Sequence, residues 1–198
     1  MNQYIIAVIG FLGFGTLLGS LEIVSRKFSL KSELIRRISH VSAALFTIFF
    51  SFYLPAYLLL TILGIFSVIM FMSRLLKVFN HIHAVSRPTI GEELLPLGFI
   101  AAYLIANGDS TIFVPSILIV GLADPITGIV MQKYKKHFFG ILAFTLVSIL
   151  LLMLFSQVPF WMTIIIAIIV SLVERISSYG IDNLSIPVAM ALLLLYIK

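Results

Sequence analysis

Long apolar runs with almost no charged residues constrain this chain more than any other feature. Each run is 14 to 21 residues long, and a helix needs about 20 residues to cross the roughly 30 Å hydrocarbon core of a bilayer. We therefore predict an all-α, polytopic helical membrane protein with seven to eight transmembrane helices, because the last run has only 14 residues and is among the shortest. The candidate spans are Tyr4–Val24, Ile38–Phe52, Leu54–Met72, Ile90–Ala106, Ile112–Met131, Phe138–Phe155, Phe160–Val173 and Leu184–Ile197.

Composition excludes a soluble domain. Hydrophobic residues make up 61% of the 198 residues and charged residues 11%, whereas soluble domains have about 45–50% and 25%. The connections between runs are too short for a further domain, so residues 1–198 are predicted to form a single integral membrane domain. The first run lacks a basic flank and a small-residue cleavage site, so we do not expect a signal peptide. The absence of cysteine excludes disulfides, thiolate metal sites and cysteine nucleophiles.

The basic residues fall on alternate connections, and this pattern predicts the orientation. Twelve of the 13 lie in the first, third, fifth and seventh connections, and only Lys198 falls on the other side. Because cytoplasmic loops are enriched in Lys and Arg, these four connections are predicted to be cytoplasmic, with both termini outside in the eight-span arrangement. The excess of positive charge is thereby explained without a nucleic-acid partner. No feature of the sequence indicates an oligomeric state.

Arg36, Arg37 and His40 stand at the entry to the second span. Arg36 and His40 are four residues apart and therefore share a helix face. Guanidinium groups offer paired donors to phosphate, which makes the cluster a candidate phosphate site. The alternative is a positively charged anchor whose side chains reach the lipid headgroups.

The segment from Thr89 to Glu92 fits the S/T-x-x-E capping box at the start of a helix. Capping alone would explain Thr89 and Glu92. The adjacent Glu93 needs a partner of its own, which a cytoplasmic arginine or a bound cation would provide. Capping and a place in a polar site are both open interpretations here.

Asp124 interrupts an otherwise apolar run. An Asp-Pro pair matches a helix N-cap followed by proline at the first helical position, so the fifth span is predicted to be broken there, with the carboxylate facing a cavity. Gly121, Asp124 and Gly128 share one face, which allows another helix or a ligand to approach closely. A structural aspartate at a kink is the alternative. Lys133, Lys135 and Lys136 follow within reach of a polyphosphate, although such a run is also a common topology signal.

The last basic loop combines two carboxylates and an amide, from Glu174, Asp182 and Asn183, around a glycine turn. Hard oxygen ligands of this kind suit Mg²⁺ or a hydroxyl group. Alternatively, Asp182 or Asn183 caps the following helix. His81 and His83 lack a third ligand nearby, so we interpret them as part of a solvated loop at the membrane interface.

Three of these segments, in this order, resemble segments of the CTP-dependent lipid-alcohol kinases, which include dolichol kinase, phytol kinase and the CTP-dependent diacylglycerol kinase. Residues 33–40 resemble the family's E-x-x-R-K-x-x-H segment. Residues 87–97 resemble its T-x-G-E segment before a span. Residues 174–187 resemble E-x-x-x-x-x-G-x-D-N-L-x-x-P, the most specific of the three.

The nucleotide segment departs from the family's pattern, which resembles G-D-x-x-A-x-x-x-G-x-x-x-G followed by K-[ST]-x-E-G. Asp124, Lys136 and Gly140 are kept, without the hydroxyl and carboxylate between the last two. Glycine loss would crowd a phosphate against the backbone. The remaining departures are Ala123, Thr127, Met131 and Lys135, where the family has Gly, Ala, Gly and Gly.

The resemblance implies a membrane lipid kinase that transfers a phosphoryl group from CTP to the hydroxyl of a polyprenol, phytol-like or diacylglycerol lipid at the cytoplasmic face. It implies Mg²⁺ as cofactor, with a membrane lipid and a nucleotide as partners. Asp124, Glu174 and Asp182 would be the catalytic and metal-binding carboxylates, with Glu174 acting as metal ligand or as base. The nucleotide-binding residues would be Arg36, Arg37, His40, Thr89, Glu92, Lys133, Lys136 and Asn183.

Two other functions stay open. One is a non-catalytic relative that binds or transports lipid. The other is an enzyme similar to phosphatidate cytidylyltransferases, which also joins CTP to a lipid, although the basic and acidic signature expected of that family is absent from the sequence.

Overall fold

The computed structural model describes residues 2–76, 78–79 and 89–198, and within these ranges the chain is helical without a β-strand. The all-α prediction is confirmed. The helices are α1 (Gln3–Phe28), α2 (Ser32–Ser51), α3 (Ala56–Leu75), α4 (Gly91–Ala106), α5 (Ser110–Leu118), a π-helical turn (Ile119–Ala123), α6 (Asp124–Tyr134), α7 (His137–Phe155), α8 (Phe160–Ile176) and α9 (Asp182–Ile197).

Five helical segments of the described ranges are long and apolar enough to cross a membrane. They are α1, α2, α3, the continuous segment Ser110–Tyr134 and α7. Helices α4, α8 and α9 contain 16, 17 and 16 residues, about 24–26 Å at 1.5 Å per residue. The helices are compatible with an integral membrane protein, but the predicted count of seven to eight spans is not confirmed.

Several helices extend beyond the apolar runs at the end that carries the basic connections. Helix α2 begins at Ser32, six residues before the predicted start at Ile38, and α8 continues to Ile176. The run of apolar residues marks only the part of a helix that must avoid water. In the charged first turns of α2, Glu33 forms ion pairs with Arg36 and Arg37. Both arginines therefore lie inside the helix and not before its first residue.

Helices α1 and α3 run in the same direction, and α2 returns between them. At one end of the bundle the hydroxyl groups of Tyr4 and Tyr57 are 3.4 Å apart, which brings together the starts of α1 and α3. At the other end Arg26 Nη2 donates to the carbonyl of Val78 at 2.9 Å. We call this second end the basic end, because it carries residues 26–37, 133–136 and 175.

The core is centred on the segment Ser110–Tyr134. Of its most apolar window, 72% is buried, compared with 17% for α1 at the periphery. Fully buried Phe99, Ile117, Phe144 and Met190 bring α4, α5, α7 and α9 into one apolar cluster. Most of the buried residues belong to α5 and the π-helical turn, whereas α6 buries only Pro125 and Thr127, both in its first turns.

Candidate functional site

A polar cavity of about 300 Å³ opens among α2, α6, α7, α8 and α9 at the basic end. Helices from distant parts of the chain supply its wall, so only the folded bundle creates it. We call it the polar cavity. Its charged and polar lining consists of Glu33, Arg36, Arg37, His40, Asp124, Thr127, Gln132, His137, Glu174, Arg175, Ser177 and Asp182.

Two buried arginines form the cationic wall of the polar cavity. Arg36 and Arg37 are 6% and 8% exposed. Glu33 Oε1 accepts from Nη2 of Arg36 at 3.2 Å and from Nη2 of Arg37 at 3.3 Å, within one turn of α2. One carboxylate shared by two guanidinium groups leaves this wall with a net positive charge. Such a wall favours a phosphate, which accepts paired hydrogen bonds from guanidinium groups.

The position of Arg37 depends on a glycine of α6. A Cβ atom at Gly128 would lie 2.8 Å from Arg37 Nη2, and one at Gly121 would lie 2.3 Å from the Cβ of Ala44. Helix α2 therefore packs directly on the glycine face of the central segment. The close approach predicted for this face is confirmed at Gly121 and Gly128, with α2 as the approaching element.

The predicted break before Asp124 is wrong. The chain passes through the π-helical turn Ile119–Ala123 into α6 without leaving helical geometry, and the backbone N–H of Asp124 donates to the carbonyl of Ile119. Pro125 has no N–H to donate to the residue four positions earlier, and the wider turn accommodates this loss. Asp124 is thus not an N-cap. Its carboxylate lines the polar cavity, as predicted, and π-turns inside helices occur frequently at functional sites.

Three carboxylates face the polar cavity from separate helices. Asp124 on α6, Glu174 on α8 and Asp182 on α9 all line it. Arg36 interacts electrostatically with Asp124 across the cavity. In the part of the chain that the structure describes, no three His, Asp or Glu side chains are placed to hold a metal ion by themselves. Hard oxygen donors still fit Mg²⁺, because this ion is usually bound by one or two carboxylates together with substrate phosphates.

Several buried polar atoms around the polar cavity lack a partner among the described residues. They include Arg36 Nε, His40 Nε2 and Thr127 Oγ1. Most buried polar atoms in proteins are hydrogen-bonded, and an unpaired one is costly. A polar ligand in the cavity would supply the missing partners.

Glu92 belongs to a second cluster, and the predicted capping box is wrong. Arg74 Nη2 donates to Glu92 Oε2 at 2.9 Å and to Glu93 Oε2 at 3.1 Å, and Arg74 also donates to the carbonyl of Thr89. Glu92 does not close a capping box, because the N-cap residue of α4 is Ile90 and no side chain caps it. Thr89 Oγ1 instead accepts from the N–H of Gly91 at 3.1 Å. Glu93 has the arginine partner that the sequence required. Neither Thr89 nor Glu92 lines the polar cavity.

Asn183 ties α9 to α4. Its Nδ2 donates to the carbonyl of Gly91 at 2.8 Å, and the side chain is 1% exposed. Asn183 does not line the polar cavity, so its placement does not support the predicted contact with a nucleotide. Asp182 accepts from the N–H of Asn183 at 3.1 Å while its side chain lines the polar cavity.

The lysines after α6 do not reach the polar cavity. Lys133 and Lys136 are exposed and line no part of it. Lys135 has the left-handed conformation (φ 54°), which ends α6 and turns the chain into α7. Their placement agrees with the alternative interpretation, a positively charged topology signal. His81 and His83, together with Lys77 and Arg87, lie outside the described residues.

The sequence reasoning missed several residues of the two clusters. Gln132 Oε1 accepts from Arg37 Nη1 at 3.4 Å, and His137 lines the same wall. Gln132 is one helical turn after Gly128, a spacing that could have placed it on the glycine face. Arg74 had no signal beyond its charge, since its partners lie 18 and 19 residues away in the chain.

Comparison with known proteins does not assign the chain to a family. No protein-family model, curated protein or solved structure matches it.

Proposed function

We propose that this chain is a membrane lipid kinase that transfers a phosphoryl group from a nucleotide, CTP by resemblance, to the hydroxyl of a lipid alcohol. The observation that carries the proposal is the polar cavity itself, where the Arg36–Arg37 wall faces the carboxylates of Asp124, Glu174 and Asp182. Phosphoryl transfer depends mostly on positioning and on charge stabilisation. A cavity with a cationic wall and a carboxylate wall can supply both.

In this proposal Arg36 and Arg37 bind the phosphate oxygens of the nucleotide. The lipid oxygen forms a bond to the γ-phosphorus while the bond to the bridging oxygen of the nucleotide breaks. The hydroxyl proton passes to the carboxylate of Glu174, and the products are a lipid phosphate and a nucleoside diphosphate. The charge that develops on the transferred group faces the two guanidinium groups.

Asp124 and Asp182 would hold Mg²⁺ together with the phosphates, and Glu174 is the third available oxygen donor. When bound, the ion neutralises phosphate charge. We further propose that the basic end faces the cytoplasm, where nucleotides are available, with both termini on the opposite side. The distribution of Lys and Arg supports this orientation.

The test uses the purified full-length chain in lipid nanodiscs with Mg²⁺ and labelled CTP or ATP. The acceptors are a prenol, phytol, diacylglycerol and phosphatidic acid. We expect a labelled lipid phosphate from at least one of the alcohols. Arg36→Gln should abolish turnover, whereas Lys133→Gln, at an exposed position outside the polar cavity, should not.

Each other outcome favours a different function. Formation of a CDP-lipid from phosphatidic acid would contradict the kinase function and indicate a cytidylyltransferase. Lipid binding without turnover of any nucleotide would favour a non-catalytic relative that binds or transports lipid.

A further inference from the structure

An apolar groove lies beside the polar cavity, between α1, α2, α3 and α4. It consists of two neighbouring pockets that share Phe14, Ala43, Phe66, Leu95 and Pro96. We call the pair the apolar groove. Each pocket has a volume of about 40 Å³, which is room for about three water-sized groups in a row. The groove is therefore narrow.

The groove runs along one face of α2. His40, Ala43, Thr47 and Phe50 line it in succession at helical spacing, and ten residues of helix correspond to about 15 Å. A path of this length and width fits one extended hydrocarbon chain. It does not fit two chains side by side.

The apolar groove and the polar cavity meet at His40, which lines both. The side chain is 3% exposed, and its Nε2 atom has no hydrogen-bond partner among the described residues. A hydroxyl group can donate to or accept from an imidazole nitrogen. A hydroxyl at the end of the groove would thus pair with His40 and lie at the boundary of the polar cavity.

The hydrogen-bonding capacity at this end of the groove favours a hydroxyl headgroup. Glu92 lines the groove beside His40, and its Oε1 atom is buried without a hydrogen-bond partner in the described part of the chain. The other oxygen, Oε2, accepts from Arg74, so Oε1 is left as an acceptor that needs a donor. A hydroxyl group can donate a hydrogen bond to this oxygen, whereas an ionised phosphate or carboxylate has no proton to donate.

Building on the proposed lipid kinase function, we infer that the apolar groove binds the single hydrocarbon chain of a neutral lipid alcohol such as a prenol, with its hydroxyl held by His40 at the boundary with the polar cavity. This assigns His40 to the acceptor and not to the nucleotide. It also favours single-chain alcohols over diacylglycerol.

The first test labels the full-length chain in nanodiscs with a photoreactive prenol and maps the adducts by mass spectrometry. We expect adducts on α1 to α4 along the groove. Ala43→Leu fills the groove where its two pockets join and should reduce labelling about tenfold, with nucleotide affinity unchanged. The matched control is Ala143→Leu on α7, a partly buried alanine outside the groove. Adducts elsewhere, or equal labelling of the Ala43→Leu protein, would overturn the inference.

The second test examines the headgroup and the chain number. Unlabelled prenol should displace the probe at about tenfold lower concentration than diacylglycerol or a prenyl phosphate, an affinity difference of about 1.4 kcal/mol. His40→Phe should weaken prenol labelling while leaving nucleotide affinity in place. Equal competition by the two-chain or the anionic lipid, or a loss confined to nucleotide binding in the His40→Phe protein, contradicts the assignment.

The two proposals fail separately. Labelling of the groove without phosphoryl transfer would contradict the proposed kinase function but support the proposed lipid site. If the Ala43→Leu protein phosphorylates a prenol as fast as the wild type, the kinase function is supported and the proposed lipid site is contradicted.

Discussion

The guanidinium group of Arg37 lies against Gly128, in the space that a side chain at residue 128 would occupy. A Cβ atom there would be 2.8 Å from Nη2 and 3.0 Å from Nε of Arg37. Atoms do not approach that closely without displacement. The cationic wall of the polar cavity is therefore shaped by the missing side chain of a residue 91 positions further along the chain.

Gly128→Ala should displace Arg37 and weaken nucleotide binding. We expect about tenfold lower affinity, the effect of weakening one hydrogen bond to a charged group, measured by isothermal titration. Gly15→Ala on α1 is the control, because a Cβ atom at Gly15 meets nothing within 4 Å. Equal affinities of the two variants would show that Arg37 does not bind the nucleotide.

Asp124→Asn should insert and fold normally but lose Mg²⁺-dependent nucleotide binding. Asn keeps the size of the side chain and brings no negative charge to a cation. We expect at least about 100-fold lower phosphotransfer, the scale of removing an electrostatic group from an active site. Titration of nucleotide with and without Mg²⁺ measures the binding effect.

Asp109→Asn is the matched control for Asp124→Asn. Asp109 caps α5 by accepting from the N–H of Thr111 at 2.9 Å, at the end of the bundle away from the polar cavity. An asparagine oxygen can still cap the helix. If Asp124→Asn binds nucleotide in the presence of Mg²⁺ as tightly as Asp109→Asn does, Asp124 has only a structural role.

The ion pair between Asp109 and Lys198 should make stability depend on pH below about 4. The hydrogen bond from Lys198, with a further one from Thr111, lowers the pKa of Asp109 from 3.8 to about 2. A lowered pKa in the folded state stabilises the protein fully above the unfolded pKa, and this contribution is lost as pH falls from about 4 to about 2. In thermal unfolding, the wild type should have a higher Tm than Asp109→Asn at pH 6, and the difference in Tm should shrink as the pH falls from about 4 to about 2. A constant difference from pH 6 to pH 2 would contradict the ion pair.

Single cysteines should report the orientation, since the chain has none of its own. Lys31→Cys and Lys133→Cys occupy exposed positions at the basic end, and Gln157→Cys is exposed at the opposite end. An impermeant thiol reagent should label the first two from the cytoplasm and the third from outside. Labelling of Lys133→Cys and Gln157→Cys from the same side would contradict the proposed topology.

Much of the fold could be predicted because it depends on local sequence. The length of each apolar run predicts a helix suited to a membrane. A spacing of four or seven residues places two positions on one helix face, as for Arg36 with His40 and Gly121 with Gly128. These properties follow from the rise and period of the α-helix alone. Together with residue type, they led to the all-α architecture and to six of the twelve charged and polar residues that line the polar cavity.

The partners of the polar residues required the tertiary structure. Arg74 pairs with Glu92 and Glu93, and Asn183 donates to a backbone carbonyl of α4. Which face of one helix meets which face of another depends on the packing of the whole bundle, a property that no single segment carries. The sequence alone determined which side chains have the charge and hydrogen-bonding groups to bind a polyphosphate. Only packing decided that Arg36, Arg37, His40, Asp124, Glu174 and Asp182 share one cavity and that Lys133, Lys136, Thr89, Glu92 and Asn183 stand outside it.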